Sequence, residues 1–260
     1  MMRLGIQYVR GAFPSRIERA EAHRRNTIMR IINPEKRLER FWGKVDRKHI
    51  GIIQGFVNGQ QVLDMGCGYG TTTDQLTRAG FDCTGIDYDD TAIAEAKRRF
   101  PGARYLTANA EVLPFANATF DVIILRDALH HLYREAAFDK VRSEMLRVAK
   151  DRSRIIVFDP NVNFMLKTMR KIAAHKDEEC DFETAKRVMV DLGYKVIHSS
   201  FNTLYSLPLS GGYVGLELAP NVGWLHSFLL GTESLLEKPI NWSGLGRQLC
   251  WRYAVVGERC

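Results

Sequence analysis

Asp64 stands two residues before the first of three closely spaced glycines, Gly66, Gly68 and Gly70, and Asp87 follows 21 residues after Gly66. Glycines placed directly after a short apolar run let the backbone turn tightly and approach a ligand closely. The dinucleotide fingerprint Gly-x-Gly-x-x-Gly would need its third glycine at position 71, which is Thr71. A carboxylate at Asp64 would also repel a pyrophosphate in that loop, whereas it would attract an ammonium group. Asp87 ends the next apolar run, where a carboxylate can accept hydrogen bonds from both hydroxyls of a ribose. An amine at one end and a ribose at the other describe S-adenosylmethionine.

A second group of polar residues follows a later apolar run: Asp127, His130 and His131. Histidine has the pKa for general-base work, which methyl transfer needs only where the acceptor carries a proton at neutral pH. The same three residues could instead cap and anchor the next helix. Asp159 is a further candidate at the edge of the site, as a substrate contact or a cap. His175, Asp177, Glu178, Glu179, Cys180 and Asp181 cluster in sequence but match no metal-ligand spacing, so an acidic solvated loop is expected and no metal.

Short β-rich runs alternating with helical runs must position these groups. Strands are expected at 61–65, 83–87, 104–107, 121–126, 154–158, 195–198 and 251–257. The fourth, Asp121–Arg126, is apolar enough to be buried on both faces. Helices are expected between them, with Asp89 or Asp90 capping the one that carries Ile93, Ala96 and Phe100 on one face. Strands alternating with helices mean a doubly wound, mostly parallel α/β sheet. Residues 160–180 and 204–248 are too long for simple connections and are expected to form a cover or to pack against the sheet edge.

The chain resembles the class I S-adenosylmethionine-dependent methyltransferases, and within them the type 11 group that includes the ubiquinone and menaquinone methyltransferases. The resemblance rests on Val62 to Gly70, Asp87, the segment Thr107-Ala-Asn109-Ala110-Glu111-Val-Leu-Pro114-Phe115, Phe120-Asp121, Asp127 to His131, and Glu144 to Lys150. It covers roughly residues 58–160. It implies a seven-stranded Rossmann-like sheet whose last strand runs antiparallel between the fifth and sixth. It further implies that Asp64, Gly66, Gly68 and Thr73 hold the methionine moiety of S-adenosylmethionine, that Asp87 binds the ribose, and that Tyr88 packs on adenine. Asn109 and Ala110 would read the adenine edge, and Arg126 would line the loop under the sulfonium. The family does not fix the acceptor. The Asp/Asn-Pro-Pro-aromatic motif of many nucleobase amine methyltransferases is replaced here by Arg126-Asp127-Ala128-Leu129, which argues against exocyclic amines.

Composition sets the frame. The 260 residues are 45% apolar and 26% charged, close to the globular average and far from disordered or fibrous chains. No run approaches the ~20 apolar residues of a membrane span, and the N-terminus lacks the apolar centre of a secretory signal. A cytoplasmic protein, soluble or peripheral to a membrane, is expected. Five cysteines with no Cys-x-x-Cys pair argue for free thiols. The net charge of +7 is concentrated in residues 1–50, which hold 13 Lys/Arg and 5 Asp/Glu. Read as a basic helical arm over 1–57, this stretch could be a solvated surface, a nucleic-acid footprint or an amphipathic face touching a membrane. Arg24, Arg25, Arg30, Lys36, Arg37, Arg40, Arg47 and Lys48 supply much of its charge. The remaining chain, 58–260, is read as one methyltransferase domain acting on a small, apolar or lipid-like acceptor. Trp224 and Phe228 in the cover are expected in the acceptor lining, with Leu204, Leu207, Leu209, Tyr213, Val214, Leu216, Leu225, Leu229 and Leu230. A nucleic-acid methyltransferase using the arm and a non-catalytic cofactor-binding module are the rival readings.

Overall fold

A computed structural model describes residues 40–133, 138–172, 180–211 and 218–259. Arg24, Arg25, Arg30, Lys36 and Arg37 of the arm, His175 to Glu179 of the acidic cluster, and Tyr213, Val214 and Leu216 of the cover lie outside those residues.

Seven strands form one sheet: β1 (Gln61–Met65), β2 (Asp82–Asp87), β3 (Arg104–Thr107), β4 (Phe120–Arg126), β5 (Ala149–Pro160), β6 (Tyr194–Asn202) and β7 (Arg252–Arg259), in the order β3-β2-β1-β4-β5-β7-β6. The first five pair in parallel. β7 is antiparallel to both β5 and β6, between which it lies, as expected from the resemblance. Central β4 has Val122, Ile123, Ile124 and Leu125 all fully buried, as a strand covered on both faces must be. β5 begins five residues earlier than its apolar run suggests, because pairing carries on past a register shift between Phe120 and Val122 on its neighbour.

The helices α1 (Phe41–Gln54), α2 (Thr71–Arg78), α3 (Asp90–Arg99), α4 (Leu129–Leu132), α5 (Phe138–Val148), α6 (Phe164–Ile172) and α7 (Phe182–Asp191) precede the cover helices α8 (Ser206–Leu209), α9 (Gly223–Trp242) and α10 (Gly246–Leu249). Asp89 is the cap of α3, its carboxylate accepting from the Thr91 and Ala92 amides. α5 buries Val141, Met145 and Val148 against the sheet, one turn apart.

The described end of the basic arm is part of the core. α1 buries Phe41, Val45, Ile50 and Ile53, each at most 1% exposed. Phe41 and Val45 cluster with Leu166, Leu207 and Trp251, and Ile53 joins Val62, Ile124, Ile156 and Phe158 of the sheet. Lys48 ties α1 to the cover through ion pairs with Glu233 at 2.7 Å and Glu237 at 2.8 Å. Glu233 also accepts from the Leu204, Tyr205 and Ser206 amides and from the Ser206 hydroxyl. Thr203 sits beside this cluster at φ +68, a left-handed conformation costly for a β-branched residue. Its amide donates to Glu237 at 2.6 Å and its hydroxyl pairs with His49 Nε2 at 2.8 Å, so the buried charges hold it there.

Candidate active site

The strand order reverses between β1 and β4, which opens a crevice at their carboxyl ends, the usual ligand position in such sheets. Two loops line it: Gly66–Gly70 after β1, and Asp127–Ala128 after β4. They approach so closely that a Cβ on Gly66, itself at φ +80, would lie 2.7 Å from the Ala128 Cβ. Only glycine serves there.

Asp64 is buried beneath the glycine loop and accepts a 2.6 Å hydrogen bond from the Thr73 hydroxyl. Burial pushes its carboxyl up to about 6 despite that bond and the nearby Arg126 guanidinium. Asp87 accepts from the Gly68 amide at 2.9 Å and the Asp89 amide at 3.0 Å, fixing the loop to the end of β2. Burial raises its carboxyl as well. Next to it, Tyr88 is 73% exposed. The Ala108 amide donates to the Asp87 carbonyl, so the Asn109–Ala110 turn lies alongside. Asn109 turns its side-chain oxygen back onto the Glu111 amide, while Val112 beyond it stays exposed.

On the other side of the crevice, Arg126 donates to Thr72 Oγ1 at 3.1 Å and forms an ion pair with buried Asp46 of α1. Its Nε is buried without a hydrogen-bond partner among the described residues, 3.9 Å from Asp127 Oδ2. Asp127 takes the left-handed conformation, φ +56, and pairs with Arg252 at the start of β7. Its surroundings would raise its carboxyl, but the Arg252 and Arg126 guanidiniums outweigh them and hold it below the usual range. His49 faces the same cluster from α1; burial, then Arg252, Arg126 and Lys48, drive its pKa well down, so it is neutral.

Asp159, fully buried at the end of β5, organises the loop after β4. It accepts from the Ala128 and His130 amides, each at 3.1 Å, and its Oδ2 lies 3.1 Å from His130 Nδ1. A carboxylate accepts, so Nδ1 carries the proton and Nε2 is the basic nitrogen of the ring. His131 is exposed, its ring centroid 4.0 Å from that of His130.

Residues 63–157 match the family described as a methyltransferase domain. The chain is 26% identical over 165 residues to a probable S-adenosylmethionine-dependent methyltransferase of Mycobacterium tuberculosis, covering 62% of this chain and 58% of that one. It is 33% identical over 103 residues to a demethylmenaquinone methyltransferase of Renibacterium salmoninarum, covering 40% and 42%. A crystal structure of a SAM-dependent methyltransferase from Archaeoglobus fulgidus has the same fold, with TM-score 0.59 and 18% identity over 84% of this chain and 94% of that one. Residues 63–157 are a methyltransferase domain of the kind that S-adenosylmethionine-dependent relatives carry. The chain spans only about two-fifths to three-fifths of the length of these curated relatives.

The site's chemistry fits the cofactor of that domain. The desolvated Asp64 carboxylate gains from a nearby cation, while the amide end of α2 suits a carboxylate. Together they match the two charges of an amino acid. Asp87 spends at least two of roughly four lone-pair positions on the backbone, and what remains suits a ribose hydroxyl. Exposed Tyr88 and Val112 offer apolar surface for a base.

Of the expected site residues, Asp64, Gly66, Gly68, Thr73, Asp87, Arg126 and Asp127 converge on the crevice, with His130 behind the second loop. Thr73 is fully buried and reaches the site through Asp64. The cover contradicts one expectation. Trp224 and Phe228 are 72% and 60% exposed, because α9 turns His226, Glu233 and Glu237 inward and leans on the core with Leu229 and Leu230. Asp46, His49 and Arg252 were not legible as site residues: Asp46 meets Arg126 from 80 positions away, and Arg252 meets Asp127 from 125.

Proposed function

We propose that this protein methylates a hydroxyl group on a small, apolar or lipid-like acceptor. The observation that carries the reading is the His130–Asp159 pair held beside the cofactor crevice. When bound, S-adenosylmethionine supplies an activated methyl group that a nucleophile takes by direct displacement. Asp64 and the glycine loop bind its amino-acid end, Asp87 its ribose, and Tyr88 covers its base, with Asn109 and Ala110 beside it. His130 accepts the acceptor's hydroxyl proton at Nε2, and Asp159 orients the ring and stabilises the imidazolium. Asp127, kept ionised by Arg252, is a poor base and shapes the loop instead. His131 borders the acceptor's entry.

The apolar acceptor is supported by the Phe41, Val45, Leu166 and Leu207 cluster beneath the cover, against which Leu209, Leu229 and Leu230 pack, and by the demethylmenaquinone methyltransferase among the relatives. The test is a label partition. Protein, methyl-labelled S-adenosylmethionine and host extract are incubated and separated into organic, aqueous small-molecule, nucleic-acid and protein fractions. Base-stable label in the organic fraction, lost with Asp87→Ala, is expected. Label in nucleic acid, or none despite cofactor binding and a full range of extracts, would sink the reading.

A further inference from the structure

The helix α9 packs on the core with Leu229 and Leu230, yet its fully buried residues are polar and its most exposed ones apolar, unlike an ordinary surface helix. Its inward side carries His226, Glu233 and Glu237, all buried. Its outward side carries Trp224, Phe228, Leu235 and Trp242, which are 72%, 60%, 75% and 92% exposed. At 100° per residue these four fall within an arc of about 40°, opposite the buried polar residues, and run about 27 Å along the axis. Leu245 and Leu249, just beyond the helix, are exposed as well.

The charges exposed on α9 itself are one-sided. Both acids of α9 are turned inward onto Lys48, and the charge left at an exposed position of the helix is Lys238. Lys44 of α1 lies across its first turn, donating to the Gly223 carbonyl at 2.8 Å. The first fifty residues, net positive by eight charges in sequence, end in the helix that packs against α9. A second copy docked on the same face would bring like charges together. An anionic surface would meet complementary ones.

We propose that the outward face of α9 is an interfacial membrane anchor that lies in the headgroup region of an anionic phospholipid bilayer. No helix among the described residues is long and apolar enough to cross a membrane, so the helix lies on the surface, with its aromatic side chains inserted roughly 5–10 Å. Trp224 and Trp242, near its two ends, suit the headgroup boundary, where amphipathic rings concentrate. α9 packs on α1 and on the edge strand β6, and none of the four outward residues is used in the proposed reaction, so the anchor stands or falls apart from it.

The experiment is sedimentation of the full chain with vesicles of phosphatidylcholine alone and of phosphatidylcholine with phosphatidylglycerol. Partition onto the anionic vesicles, weakening with salt, is expected. The variant W224S/F228S/L235S/W242S should lose about tenfold or more of that partition while keeping its circular dichroism and its affinity for S-adenosylmethionine. Brominated acyl chains should quench the tryptophan emission of the parent, and W224F/W242F should remove most of the quenching while still sedimenting. The proposal is overturned by absence of binding to either vesicle or by partition that the serine variant leaves unchanged. It is equally overturned by a lipid-free dimer that the serine variant converts to monomer.

Discussion

Replacing Asp64 with asparagine should make the protein more stable and a worse binder of its cofactor. The carboxyl is raised from 3.8 to about 6 chiefly by burial. That shift corresponds to ~3 kcal/mol of destabilisation by the ionised form above pH 6, at about 1.36 kcal/mol per unit. Asparagine removes the charge but weakens the Thr73 hydrogen bond, which offsets ~1 kcal/mol. About 2 kcal/mol of net stabilisation remains, or roughly 4–8 °C in melting temperature. The sign follows from proton linkage. The folded state holds the Asp64 proton more tightly than the unfolded state, so the parent loses stability as pH rises from about 4 to about 6. The advantage of the variant is therefore full at about pH 7.5 and shrinks towards zero near pH 4.5, where most of the penalty is absent from the parent. Comparing variant with parent at each pH cancels the other titrating groups. Thermal melts at both pH values and calorimetric titration with S-adenosylmethionine are the assays. Loss of a charge-assisted contact to the ammonium should weaken binding roughly ten- to hundredfold. A variant less stable than the parent at pH 7.5, or a difference that does not change with pH, would refute the reasoning.

Lys48→Met should cost about 3–5 kcal/mol in urea unfolding, because Glu233 and Glu237 are then left buried without their cation; a loss under 1 kcal/mol would contradict this. Gly85→Ala should abolish cofactor binding, read by calorimetry, since its Cβ would lie 2.5 Å from Thr73 Oγ1 and 2.9 Å from Cys67 Sγ, under the loop. His130→Ala should lower kcat by about a hundredfold or more with cofactor affinity retained, and Asp159→Asn should shift the pH profile of kcat as well as lower it. His49 is held neutral in the fold, so stability at this site is lost as pH falls through the unfolded value of 6.5; His49→Gln should flatten the acid limb of the melting-temperature profile.

The sequence by itself determined the frame and the cofactor end of the site. The alternation of apolar strands with helical runs, Asp64 beside its glycines, and Asp87 at the end of the next strand are local patterns, set by side-chain period and turn chemistry within a few residues. β7 reads as a strand from its own run, but its place between β5 and β6 came from resemblance and not from any local signal. Only the tertiary structure decided the rest. Asp159 and His130 are 29 positions apart and meet because β4 and β5 are neighbours in the sheet. Asp46, His49 and Lys48 looked like members of a basic arm until α1 folded back over the carboxyl edge. The stripe on α9 reads from sequence as a lining for the acceptor. Its direction was reversed by the buried Glu233 and Glu237, whose cation comes from 185 and 189 positions away. A helix turns towards the core whichever face the rest of the chain can satisfy, and a buried carboxylate satisfied by a distant lysine outweighs the local apolar pattern.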